Sequence, residues 1–441
     1  MKKAAEGLCI LLKGMLFIGF SVQIVLGFVW MCANFIEVQQ FDSPQGFLYP
    51  LLFGTLGKVP QILYLLQLCL AGFAGYVLLK PILPEGRFWH VWYLLAFMSF
   101  PMALQCHLAL LPHSFVSSLI LLELSCCREA MESESGFGLK ALAGAGICWV
   151  GLALLLSEYG WLGLIPLAVT LLVRLPVLCR DLKKLAYGAL LLAAFCGITA
   201  GVMGLTKMEK ENERTFWFSM ASRMTWPTIW QDSAGWPREL LEVLPQETVI
   251  QISYAPDHME RILKPALEEA VGREKALEYY RQMAESSFQI RKSRIARQMG
   301  WDFLIYAVPQ AVLQRQLEGV GYDSYSGINY GAMTMKHPTL TKHYVGYGCW
   351  WFWAAFWITV FFLIALKAGG RKRLEKSVVL RLAVYAVSGG GMLVYYVMRG
   401  SGIADYKCTL AVSAMWAVPA LFCITKELSG EGKLFPSGLS D

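Results

Sequence analysis

Stretches of about 20 consecutive apolar residues recur along this chain and restrict its fold, because a helix of that length crosses a hydrocarbon core about 30 Å thick. Pro60–Leu79 is one such stretch. Inside lipid, only helices and closed barrels satisfy every backbone polar group. Charged residues make up 16% of the chain, whereas about a quarter is usual in soluble domains. The sequence therefore predicts an all-α fold, that of a polytopic helical membrane protein.

A long polar block divides the predicted spans into two groups. We expect about ten spans, with about seven in an N-terminal membrane domain at residues 1–205 and about three, followed by a cytoplasmic tail, in a C-terminal membrane domain at 346–441. Residues 206–345 are too polar for lipid, and their amphipathic helical patterns are broken at Gly272. We expect this block to be a mainly helical domain in water.

Lysine and arginine are unevenly divided between the two sets of alternating loops. The set with few of them holds little besides Lys58, Arg399 and Lys407. Because cytoplasmic loops are enriched in Lys and Arg, we expect a multi-pass protein of the inner (plasma) membrane with both termini cytoplasmic and the polar block outside. The net charge of +7 then reflects loop topology, and no nucleic-acid partner is expected. The richer set comprises Lys2, Lys3, Lys80, Arg87, Arg128, Lys140, Arg174, Arg180, Lys183, Lys184, Lys367, Arg371, Lys372, Arg373 and Lys376.

The twelve cysteines are scattered, nearly all of them inside apolar stretches. They form no Cys-x-x-Cys motif and no Cys/His spacing typical of a metal site, and the polar block has no disulfide framework. Small apolar side chains are the simplest interpretation of them. We therefore predict no cofactor and leave open a requirement for a divalent metal.

The first predicted outer loop carries two carboxylates, Glu37 and Asp42, just beyond the end of the first span. A carboxylate in that place can accept a proton from an attacking hydroxyl group. Asp42 is the first candidate for a catalytic base and Glu37 is the second. The alternative is that both are ordinary polar residues of an outer loop.

Other polar side chains of the predicted outer loops are candidates for substrate binding. Arg399 and Lys407 belong to a side where cations are scarce, which favours contact with a phosphate group. An ion pair between Asp405 and Arg399 that merely closes the loop is the alternative. The remaining candidates, for each of which an ordinary interfacial polar residue is the alternative, are Asp405, Glu158, Tyr159, His113 and His107.

Glu123 is the one carboxylate well inside an apolar run. Ionisable residues within membrane helices are functional candidates. The alternative is a position near the cytoplasmic end of its span, because a polar loop is predicted to begin at Arg128.

The order of these features resembles the GT-C superfamily of integral-membrane glycosyltransferases. The resemblance rests on the acidic first outer loop, on a late outer domain followed by closing spans, and on the segments Leu48–Leu52, Tyr64–Leu68, His107–Ser114 and Leu155–Gly163. Family members usually have a longer first loop with paired acidic residues, where this chain has Asp42 alone. The resemblance implies a polyprenyl-phosphate-linked sugar donor, as in mannosyltransferases that use dolichyl-phosphate-mannose, and an extracytoplasmic glycan, lipid or protein acceptor. Asp42 would be the general base, and Arg399 and Lys407 would stabilise the departing phosphate.

Two further hypotheses remain open. The chain could be a non-catalytic envelope-assembly or scaffold protein, whose outer domain binds a partner. A transporter or flippase is less favoured, because the apolar runs contain few charges and the two halves show no repeat. In every case membrane lipids surround the protein.

Overall fold

The computed structural model describes most of the chain up to residue 307 and scattered helical residues beyond it. The described residues lie in helices and short connections, with no strand among them, so the predicted all-α class is confirmed for this part of the chain. They are 2–34, 48–56, 59–80, 87–100, 104, 107, 112–132, 138–155, 159–178, 182–205, 208–225, 236, 238–254, 259–290, 292–307 and short runs between 339 and 394.

The helices are named in chain order. They are α1 (Lys2–Asn34), α2 (Leu48–Leu56), α3 (Pro60–Leu79), α4 (Arg87–Met98), α5 (Pro112–Glu132), α6 (Leu139–Leu155), α7 (Tyr159–Leu178), α8 (Leu182–Leu205), α9 (Met208–Thr225), α10 (Arg238–Val243), α11 (Gln246–Tyr254), a π-helical turn (Met259–Leu263) that continues into α12 (Lys264–Val271), α13 (Arg273–Ile290) and α14 (Lys292–Ala307).

The chain forms two compact units. Unit 1 comprises Met1–Val202, Gly331–Gly391 and Leu410–Asp441, and unit 2 comprises Met203–Tyr330 and Met392–Thr409. The sequence-based boundaries at residues 205 and 345 stay a prediction.

The helices of unit 1 run in two opposed directions. α1 and α4 are parallel, because Trp92 Nε1 donates to Ser21 Oγ (3.1 Å) and, further along both helices, Gln23 Nε2 donates to the Ala96 carbonyl (3.1 Å). Neighbouring contacts show that α6 and α8 share this direction, whereas α3, α5 and α7 run against it. These contacts are Gly75 with Phe97, Tyr76 with His90, Val77 with Ser125, Leu78 with Arg128, Leu119 with Gly151, Cys126 with Gly144, Glu123 with Gly163, Cys127 with Thr170, Leu142 with Gly188 and Gly146 with Phe195.

Because these helices run in opposed directions, their termini gather at two ends of the described part of unit 1. At one end, here the His107 end, α1, α4 and α6 finish and α3, α5 and α7 begin. At the other, here the Arg128 end, α3 and α5 finish and α4, α6 and α8 begin. Basic residues from the richer set of loops mark the Arg128 end, namely Lys80, Arg87, Arg128, Lys140 and Lys183.

Helix α5 corrects the prediction that a polar loop begins at Arg128. The helix continues to Glu132, because its last turns bind the end of α3. Ser125 Oγ donates to the Val77 carbonyl (3.3 Å) and Arg128 donates to the Leu78 carbonyl (2.7 Å). The last carbonyls of a helix have no partner within it. Arg128 is therefore buried because it supplies hydrogen bonds that α3 cannot make itself.

Two described helices are long and apolar enough to cross a membrane, at Ile10–Ala33 and Gln61–Leu79. Large apolar side chains on both point away from the protein, such as Ile10 (71% exposed), Phe28 (62%) and Leu65 (61%). Extended apolar surface of this kind marks contact with a membrane or another protein. The described residues also include three shorter apolar helices, Lys140–Leu155, Leu162–Val173 and Ala186–Gly201.

Unit 2 has a hydrophobic core of its own. The rings of Phe218 on α9 and Tyr280 on α13 meet edge to face, with centroids 5.1 Å apart. Burial raises the pKa of Tyr280 above its ordinary value, and Glu268 raises it further. The buried residues of α13 are Ala276, Tyr279, Tyr280, Met283, Ala284 and Ser287, whereas Phe288 is 47% exposed.

Gly272 separates α12 from α13, as the pattern predicted. Its backbone angles, φ 80° and ψ 160°, belong to a region that glycine alone adopts readily. Its N–H donates to the Glu268 carbonyl and its carbonyl accepts from Ala276 N (both 3.0 Å). One glycine thus ends one helix and begins the next.

Candidate functional site

His107 lies between α4 and α5, and its side chain is completely buried. Its ring nitrogen Nδ1 is 2.8 Å from Ser114 Oγ, in the first turn of α5. Its other ring nitrogen, Nε2, has no hydrogen-bond partner among the described residues. The buried imidazole thus has one nitrogen within hydrogen-bond distance of Ser114 and one without a partner among the described residues.

Whether Nε2 accepts or donates a hydrogen bond depends on which atom, His107 Nδ1 or Ser114 Oγ, carries the hydrogen between them. In a neutral imidazole one nitrogen donates and the other accepts. If Nδ1 donates to Ser114 Oγ, Nε2 accepts a hydrogen bond and can take a proton from a hydroxyl group. If the Ser114 hydroxyl donates to Nδ1, Nε2–H donates instead. Either arrangement recognises a hydroxyl, because a hydroxyl is both donor and acceptor.

The first two turns of α5 carry three buried serines, Ser114, Ser117 and Ser118. Ser118 Oγ donates to the Ser114 carbonyl (2.8 Å). Tyr49 of α2 is also buried, and its ring centroid lies 6.2 Å from that of Phe115, the residue after Ser114. The start of α5 is therefore rich in buried hydroxyl groups.

Ser114 and Ser118 were not among the predicted site residues. A signal was present in the sequence, since Ser114 follows His113 directly and Ser118 comes four residues after Ser114. Such spacing puts both on one face of a helix. The sequence does not show that α5 is buried along its length. These serines therefore could not be distinguished from ordinary polar residues at the membrane interface.

The described helices position several other predicted residues. His113 and Tyr159 lie in the first turns of α5 and α7, and therefore at the His107 end. Glu158 directly precedes Tyr159 in the chain, and Glu37 comes three residues after Asn34, the last residue of α1. The residues Glu37, Asp42, Glu158, Arg399, Asp405 and Lys407 lie outside the described part of the chain, and their roles stay predictions.

Within the described residues, no three His, Cys, Asp or Glu side chains are grouped so that they could hold a metal ion. The predicted absence of a cofactor stays a prediction.

No protein-family model matches the sequence, and neither a curated protein nor a solved structure is significantly similar to it.

Proposed function

We propose that this chain is a membrane glycosyltransferase of the inverting kind, which moves a sugar from a polyprenyl-phosphate carrier to an extracytoplasmic acceptor. The supporting observation is His107, a buried imidazole whose Nε2 has no hydrogen-bond partner among the described residues, at the bundle end to which the predicted acidic loops attach. A sugar is recognised through its hydroxyl groups, and Nε2 suits a hydroxyl in either tautomer.

Membrane insertion, with about ten spans, is part of the proposal. Support comes from the apolar side chains that α1 and α3 expose, such as Ile18 (63%) and Phe73 (57%). Further support comes from the basic residues gathered at the Arg128 end, since cytoplasmic loops are rich in Lys and Arg. The His107 end then faces the extracytoplasmic side, where lipid-linked sugars of this class are used.

In the proposed reaction, a carboxylate removes the proton of the acceptor hydroxyl as its oxygen attacks the anomeric carbon. Asp42 has this role, with Glu37 as its substitute. The bond from the anomeric carbon to the carrier phosphate breaks, and Arg399 and Lys407 stabilise the charge that develops on that phosphate. His107 holds a sugar or acceptor hydroxyl through Nε2, and the remaining candidates Asp405, Glu158, Tyr159 and His113 complete the binding site.

The test is transfer of labelled sugar from polyprenyl-phosphate donors by the purified full-length protein in lipid vesicles. We expect Asp42→Asn to lower the rate by about 100-fold or more, because general-base catalysis contributes that much. Binding of the carrier should remain, since the carboxylate acts on the acceptor. Glu129→Gln is the matched control, because Glu129 is exposed at the Arg128 end of α5.

A fully active double variant, Asp42→Asn with Glu37→Gln, would show that neither carboxylate is the base. Absence of transfer from every donor tested, with no binding of polyprenyl phosphate, would exclude the whole proposal. A scaffold protein has no use for that lipid, and unit 2, with its own core, would then be the first place to look for a partner.

A further inference from the structure

Glu123 lies in the middle of α5, eleven residues after Pro112 and nine before Glu132. At about 1.5 Å per residue, it is roughly 16 Å from one end of the helix and 14 Å from the other. Its side chain is completely buried. Glu123 therefore lies in the interior of the helix bundle and not beside the predicted cytoplasmic end of α5. Arg128 occupies that end.

Neither carboxyl oxygen of Glu123 has a hydrogen-bond partner among the described residues. A buried polar group without a partner costs about 1–3 kcal/mol, and more when it is charged. The neighbouring donors are already engaged. Trp149 Nε1 donates to the Gly160 carbonyl (2.7 Å), and Arg128 is turned towards α3, where it binds the Leu78 carbonyl.

The surroundings of Glu123 contain no described cation that would balance a negative charge. α7 approaches it closely at Gly163, where an added Cβ would lie 3.1 Å from Glu123 Oε2. The ionisable groups that face it are thiols, from Cys126 and Cys127 on α5 and from Cys148 on α6. An ionised carboxylate is unfavourable there, and the neutral acid is the form that such a site tolerates.

We infer that Glu123 is a proton-binding site inside the helix bundle, neutral at physiological pH and able to exchange its proton. No partner in the described structure holds that proton in place, and buried carboxyl groups of membrane helices commonly bind and relay protons. The site is separate from His107, since Ser114 and Glu123 lie on opposite faces of α5, nine residues and about 900° of helical rotation apart. The inference therefore stands whether or not the proposed sugar transfer is correct.

The test uses N,N′-dicyclohexylcarbodiimide, a hydrophobic reagent that reacts with protonated carboxyl groups. The acid O–H adds across one C=N bond: its proton goes to nitrogen and its oxygen bonds to the central carbon. The acyl group then migrates to nitrogen, and the stable product has gained one whole reagent molecule. The full-length protein in lipid vesicles is treated, and the modified peptide is identified by mass spectrometry.

We expect modification at Glu123 that slows as the pH is raised above neutral and the acid becomes ionised. A water-soluble carbodiimide should leave Glu123 unmodified. Glu123→Gln should abolish the reaction without altering elution of the protein on gel filtration, because the two side chains have the same shape. The matched variant Glu129→Gln should react as the wild type does.

Three results would overturn the inference: no reaction at Glu123, a rate that is unchanged with pH, or equal modification by the water-soluble reagent. Infrared spectroscopy gives a second measurement. A protonated carboxyl band that is absent from Glu123→Gln should shift in D2O, and a band that does not shift would show that the proton is not exchangeable.

Discussion

Among the described residues His107 has one hydrogen-bond partner, Ser114, whereas an imidazole can make two hydrogen bonds. Its two ring nitrogens can therefore be tested separately, one for packing and one for binding. Asparagine places its amide near the position of Nδ1, and glutamine places its amide near that of Nε2. We expect His107→Asn to keep the contact with Ser114 and the thermal stability of the protein. The rate of sugar transfer by this variant should fall by about 10- to 100-fold, which is the effect of losing one hydrogen bond to substrate.

His107→Gln is the complementary variant, and we expect it to retain more transfer activity than His107→Asn at lower stability. Rates are measured with labelled donor, and unfolding midpoints by fluorescence in detergent. Equal loss of stability and equal loss of activity in both variants would mean that His107 only supports packing.

At the scale of single residues, part of the candidate site could be predicted from the sequence. His107 was identified from the loop that it occupies, because histidines in a predicted outer loop are conspicuous. Its burial was not predicted, because burial depends on how the chain packs around the residue, and a single sequence does not reveal that packing. Ser114 and Ser118 were missed for the same reason.

Helix α5 owes its position to small residues on its neighbours. Gly144 and Gly163 leave room for Cys126 and Glu123, and an added Cβ at Gly144 would lie 2.9 Å from Cys126 Sγ. At Gly163 the same atom would lie 2.6 Å from Leu152, 3.1 Å from Glu123 and 3.2 Å from Trp149. The close approach of α6 and α7 to α5 therefore depends on the missing side chains.

We expect Gly163→Ala to destabilise the protein by about 1–3 kcal/mol, as overpacking of a well-filled interior does. The unfolding midpoint in detergent should fall accordingly. Gly197→Ala on α8 is the control, because an added Cβ there would meet nothing within 4 Å. An unchanged midpoint for Gly163→Ala would show that α5 and α7 pack less closely than described.

The pattern of apolar residues predicted most of these elements but not all. α2 was missed because Leu48–Leu56 is short and contains Pro50 and Gly54, which are typical of turns. The end of α5 was placed too early because a charged residue such as Arg128 indicates a loop unless its partner on α3 is known. On α13 the helical spacing predicted an apolar face of Leu277, Tyr280, Ala284 and Phe288; Tyr280 and Ala284 are buried, whereas Phe288 is exposed.

At the scale of the whole molecule, the distribution of Lys and Arg leads us to predict one membrane topology. We expect green fluorescent protein inserted at residues 133–137, next to the Arg128 end, to fluoresce in the cytoplasm. Alkaline phosphatase inserted at residues 255–258 in unit 2 should be active, since that enzyme folds only outside. The opposite pattern would reverse the assigned orientation.

The fold class was easier to predict from the sequence than the arrangement of the helices. Long apolar stretches require helices in lipid, and the described residues are helical throughout. Which helices run side by side is decided by contacts such as Gln23 with Ala96, and a single sequence does not reveal them. For the same reason, the meeting of the predicted acids and cations at one site stays a prediction.

The bond between Arg128 and the end of α3 also bears on how the protein is made. Fifty residues separate Arg128 from Leu78, and a ribosome adds them in about 3 to 10 s at roughly 5–20 residues per second. During that interval α3 has been synthesised, but the Arg128 side chain that donates to its Leu78 carbonyl has not. We therefore expect the end of α3 to gain this hydrogen bond only after α5 has been made.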